Sequence, residues 1–91
     1  MARTILDTDA ETLIARHVAP HPANVGLDEY WLLRAGVSVW AVIGALKAND
    51  DNAEAVARLY CLTPDELDAA CAFYARHRAV IDNRLAQNSA A

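Results

Sequence analysis

The chain lacks any run of 18 or more apolar residues, and it carries only two cysteines, three glycines and two serines among 91 residues. Each shortage closes off a class of function. Without the long run there is no helix to cross a bilayer, and the N-terminal "MARTILDTDAETL" has acids where a signal peptide needs an uninterrupted apolar stretch, so the expected location is the cytoplasm. Cys61 and Cys71 form no CxxC pair, which fits a reducing compartment and small apolar thiols rather than a disulfide. The glycines form no phosphate-cradling loop, and neither Ser38 nor Ser89 sits in a nucleophile elbow. No pair of carboxylates has a recognisable catalytic setting, so neither an enzyme nor a cofactor is expected. His17 and His21 have the i, i+4 spacing of metal ligands, but Pro20 lies between them and no third ligand is near in sequence.

Positive charge is also short, with 8 Lys and Arg against 12 Asp and Glu for a net charge of -4. A surface that is an electrostatic footprint for nucleic acid throughout is excluded. The charge is unevenly spread. Acids crowd residues 50–68, while Arg76, His77, Arg78 and Arg84 gather toward the C-terminus.

What is abundant is apolar residues, 55% of the chain. A domain of this size buries only roughly 60 to 65% of its unfolded surface, so self-association is expected to cover the remainder. Thr8 with Glu11 forms a capping-box pattern that opens a helix from Asp9 to about Val18, which Pro20 prevents from continuing. "LDEYWLLRAG" suits a short strand as well as one helical turn, and Gly36 ends it. Ser38 can cap a helix from Val39 to about Ala48 that is apolar on nearly every side and belongs at the centre. After the turn residues "KANDDN", Asp51 or Asn52 caps a helix from Ala53 to Tyr60 whose Val56, Leu59 and Tyr60 face inward. Thr63, Pro64 and Glu66 open a final helix that the spacing of Leu67, Cys71, Tyr74, Arg78, Ile81 and Leu85 predicts to run to Leu85, roughly 33 Å.

Two helices joined by a turn of about three residues, with an apolar helix before them, have the outline of a helix-turn-helix. Its second helix starts "TPDELD", and Asp65, Glu66 and Asp68 would be repelled by a phosphate backbone. Those acids also complement the positive helix N-terminus and complete its capping box. The DNA-binding candidates are therefore Arg34, Arg58, Arg76, Arg78 and Arg84. Arg76 and Arg78 lie about 200° apart on a helix, so one patch would have to come from two copies of the chain.

"GVSVWAVIGAL", "AEAVARLYCLT" and "DAACAFYARHRAVIDNRL" resemble the bacterial domain of unknown function 433 family. The matching positions are Val37, Val39 and Trp40; Ala57 and Tyr60; Leu62 and Thr63; and Ala69, Ala70, Phe73, Tyr74, His77, Ile81 and Asp82. They span residues 36–85. Many members carry a glycine-rich hairpin with Gly-Thr-Arg before the first apolar helix, where this chain reads "WLLRAGVSV". The resemblance implies a homeodomain-like helix-turn-helix fold, homodimers and, for some members, an antitoxin whose toxin is a PIN-like ribonuclease.

The expected architecture is all-α: residues 1–35 as a helical extension, and residues 36–91 as a three-helix helix-turn-helix core with a long C-terminal helix. Val39, Trp40, Ile43, Leu46, Val56, Leu59, Tyr60, Leu67, Cys71, Phe73, Tyr74 and Ile81 are its expected core or dimer interface. The expected function is a homodimer that holds a toxin protein through an outlying segment, 3–18 or 76–91, and its own operator DNA through arginines. The alternative is a self-associating protein-interaction module that binds no nucleic acid.

Overall fold

Short polar side chains set where two of the helices begin. Asn52 accepts from the Ala55 N–H at 3.1 Å. Thr63 Oγ1 accepts from the Glu66 N–H at 3.2 Å while Glu66 Oε1 accepts from the Thr63 N–H at 2.8 Å, the reciprocal box read from sequence. Ser38 holds the N-cap position but makes no side-chain cap bond. The computed structural model describes residues 7–89. Within them α1 is Asp7–His17, α2 Val39–Ala48, α3 Ala53–Tyr60, α4 Pro64–Arg76 and α5 Arg78–Ser89. The Thr8 side chain, expected to cap α1, lies outside the described residues, as do residues 3–6 and 90–91 of the expected docking segments.

The chain is mostly helical, but the all-α expectation needs one correction. Three two-residue strands, β1 Val18–Ala19, β2 Trp31–Leu32 and β3 Val37–Ser38, form an antiparallel sheet in the order β1-β2-β3. Val18 pairs with Leu32, and Leu32 with Val37. The ambiguous "LDEYWLLRAG" thus divides into a 3-10 turn at Leu27–Glu29, strand β2 and a hairpin closed by the Gly36 N–H on Leu32 O at 2.8 Å. Gly36 has φ 67°, a conformation that favours glycine.

The core gathers Leu32, Val39, Val42, Val56, Phe73 and Ile81, all fully buried. Helix α4 runs through its middle, where alanines at 69, 70 and 72 let neighbouring helices approach closely, and α1 packs more extensively on α4 than any other pair of elements. Residues 7–35 therefore share one core with residues 36–89, with Val18 and Leu32 inside it and Leu13 and Ile14 against it. Leu59, expected to face inward, is 62% exposed. The packed arc of α3 is Val56, Ala57 and Tyr60, about 100° wide, and Leu59 falls outside it.

The single final helix is the second correction. It breaks at His77 (φ -128°, ψ 42°), whose N–H is shared between Phe73 O and Tyr74 O at 3.0 and 3.2 Å. Beyond the break α5 folds back on α2 and the 3-10 turn, burying Ile81 completely. A Cβ on Gly44 would stand 3.0 Å from Leu85 Cδ2, so a glycine in α2 is what admits α5 at this distance. The radius of gyration, 12.2 Å, is that of a chain with no projecting helix, about 12 Å at this length.

Between α3 and α4 the chain turns through Cys61 in the left-handed region (φ 56°, ψ 47°). Its N–H bonds Arg58 O and the Leu62 N–H bonds Ala57 O at 2.8 Å, the Schellman arrangement that glycine usually supplies. A Cβ is unfavourable there, so Cys61→Gly should stabilise the fold by about 0.5–1 kcal/mol. The melting temperature checks this, and a fall would contradict it.

Candidate partner-binding cleft

The C-terminal end of α2, the turn after it and the α4–α5 junction enclose a cleft of about 440 Å³ lined by Ile43, Leu46, Lys47, Asp50, Asp51, Cys71, Tyr74 and Arg78. Each lining residue has a local reason for its place. Ile43 and Leu46 are the buried face of α2, and Lys47 is the basic residue in its last turn. Asp50 and Asp51 follow with φ 53° and 60°, consecutive left-handed positions of the kind Asp tolerates. Cys71 and Tyr74, three apart on α4, share one helix face.

Tyr74 organises the polar rim. Its hydroxyl donates to Asp82 Oδ1 at 2.7 Å, and Lys47 Nζ stands 3.8 Å from the same oxygen. Lys47 Nζ and Arg78 Cζ lie 5.5 and 4.9 Å from the centre of its ring, both within cation–π range. The result is an apolar floor with a rim that carries both cations and carboxylates. Such a cleft can hold an amphipathic segment bearing both charge signs.

No family model, curated protein or solved structure matches the chain. The functional reading therefore rests on where its residues stand.

The structure does not bring the five candidate arginines together. Arg34, in the β2–β3 hairpin, grips Glu66 with two bonds, Nε to Oε2 at 2.9 Å and Nη2 to Oε1 at 2.6 Å, and Nη2 also donates to Cys61 O at 2.6 Å. Arg84 bonds Asp28 at 3.1 Å and also Glu29, and its guanidinium lies 4.8 Å from the Trp40 ring centre. Arg76 faces Glu11 at 4.0 Å. Arg58 and Arg78 alone make no ion pair among the described residues.

The acids of "TPDELD" divide in the same way. Asp65 is exposed, while Glu66 and Asp68 are buried at 2% and 8% exposure. The Arg34 hydrogen bonds hold the Glu66 carboxyl below its ordinary pKa, opposed by burial and helped by the Thr63 N–H. The same carboxylate raises the pKa of Arg34. Sequence reasoning found the capping role of Glu66 but not its partner 32 residues away.

Among the histidines and the buried indoles the outcome is mixed: His17 Nε2 and Trp40 Nε1 are buried with no hydrogen-bond partner among the described residues. The His21 ring packs on Trp31 with centroids 4.5 Å apart, and its Nδ1 accepts from the Ala23 N–H at 3.0 Å. No group of three or more His, Cys, Asp or Glu converges on a metal position among the described residues. No helix among the described residues is long and apolar enough to cross a membrane.

Proposed function

We propose that this protein is a dimeric protein-binding module built on a helix-turn-helix, related to the domain of unknown function 433 family, and that it docks a partner protein without reading DNA through α4. One observation carries the reading. In a helix-turn-helix the second helix must be free to enter a groove, yet here α4 lies under α1, with Leu67, Ala69, Ala70, Ala72 and Phe73 buried. Helices α2, α3 and α4 follow one another with residues 61–63 between the last two, which supports the helix-turn-helix as a packing solution. The β2–β3 hairpin precedes α2 but lacks the Gly-Thr-Arg of the family pattern, so no function of that hairpin is carried over. By the resemblance, a PIN-like toxin is the first partner to test, with this chain as antitoxin in the cytoplasm.

The cleft beside Tyr74 is the surface for that partner, and its mixed charged rim and apolar floor fit a partner helix carrying an acid, a base and an apolar ridge. Apolar surface that self-association could cover also remains at another end of the molecule. The Arg34 bond to Cys61 O draws the hairpin to the end of α3, leaving Leu33 and Leu59 at 52% and 62% exposure on adjoining segments.

A second reading, operator binding by the dimer, is favoured by Arg58 and Arg78, which remain available for phosphates. Binding to DNA from upstream of the gene separates the two. A specific affinity that weakens steeply as salt rises would overturn the module reading. Its absence, together with binding to the product of the adjacent gene, supports it. Reversing the two rim cations with Lys47→Glu and Arg78→Glu should weaken that protein complex about tenfold or more, read by calorimetry, and leave the melting temperature within a few degrees.

A further inference from the structure

Resting on the homodimer in the reading above, we propose how the second copy is held: the two chains exchange α5. Each straightens at His77 and lays its α5 between α2 and the 3-10 turn of the other. The motivating fact is that one residue separates α4 from α5.

After Pro64 the sequence offers no proline or glycine as far as Ser89, so nothing in the covalent chain forbids one helix of about 39 Å. Leu67, Cys71, Tyr74, Ile81 and Leu85 keep a single apolar stripe through the break. The folded-back form also carries costs that the straight form lacks. The N–H groups of Arg78, Ala79 and Val80 stand at a helix start, where no intrahelical acceptor exists, and the first turn of α5 has no acid. Arg78 instead places a cation against the positive helix end. Straightening gives those N–H groups Tyr74, Ala75 and Arg76 carbonyls and moves Arg78 into a helix interior.

The contacts that dock α5 can be made by either chain's copy. Leu85 sits against Gly44, Ile81 enters the core, and Arg84 bonds Asp28 and Glu29 over Trp40. Exchange remakes all of them between chains. What changes is the hinge, so the dimer gains from helix continuity what it loses on association. The occupant of the groove is settled by shape, since the groove already fits this helix.

A chain with Cys61→Ser and Cys71→Ala receives Gly44→Cys and Leu85→Cys and is oxidised after refolding at high concentration. Exchange is supported if denaturing, non-reducing electrophoresis gives a covalent dimer. Sedimentation as a dimer with only internal cross-links overturns exchange and leaves the homodimer standing. A monomer at every concentration overturns both. On the otherwise natural chain, His77→Ala and His77→Gly should differ about 30-fold in dimer dissociation constant, with alanine tighter, because glycine disfavours the straight helix by about 1 kcal/mol at each of two hinges. Equal constants contradict the hinge argument and need no engineered cysteine to be read.

Discussion

Phe73→Ala is expected to remove about 3–5 kcal/mol, a large part of the roughly 5–10 kcal/mol available to a chain of this size. The ring is 2% exposed and touches two other rings, with Tyr30 stacked at 5.2 Å and His77 tilted at 4.6 Å between centroids. Tyr30 precedes β2 and His77 is the hinge, so one side chain ties the sheet, α4 and the start of α5. Its loss leaves a cavity that three elements would have to collapse into together. The melting temperature should fall by roughly 15–30 °C. A fall below about 5 °C would mean that the three elements are held by something other than this ring. Phe73→Leu, which keeps most of the volume, should cost about half as much or less.

Arg34→Ala is expected to destabilise the fold near neutral pH by more than the loss of an ordinary surface ion pair would. The asymmetry of the pair decides this. The Arg34 side chain is 59% exposed and that of Glu66 only 3%, so removing the arginine strands a buried carboxylate whereas removing the glutamate returns a cation to water. The pH dependence has a definite sign. Glu66 titrates below its ordinary 4.5 in the folded chain, so its contribution is present above that value and is lost as pH falls through the depressed one. The stability gap between the natural chain and Arg34→Ala should therefore be full at neutral pH and close in acid. Urea midpoints between about pH 3 and pH 7 measure it. A gap that stays constant over that range would show that the carboxylate is not the group Arg34 stabilises. Glu66→Gln, which keeps the capping geometry without the charge, should show a shallower acid loss.

Helix boundaries written in neighbouring residues were legible in the sequence. Asn52, Thr63, Pro64 and Glu66 fix the starts of α3 and α4 by bonds spanning three positions, and Asp50 and Asp51 supply the left-handed turn before them. What escaped the sequence is what distant residues decide. Nothing local stops the final helix at Arg76. The break is set by burial of Ile81 and Leu85 against a helix more than thirty residues earlier, and by Arg84 reaching Asp28 and Glu29. Strands of two residues are too short to show an alternating pattern, so the sheet left only the ambiguity at "LDEYWLLRAG". The five arginines looked alike because the carboxylates of Arg34, Arg76 and Arg84 all belong to other elements. The cleft shared the same fate: Lys47 and Asp82 meet only because α5 turns back.

The packing of α1 on α4 makes the two ends of this molecule unequal. A capturing protein that peeled α1 away would bare the middle of the bundle and leave the captured chain without a fold to present. The opposite end is tethered by one residue and can change hands with its seat intact. The opening helix therefore serves as the keel, and the closing one as the part that can be handed over.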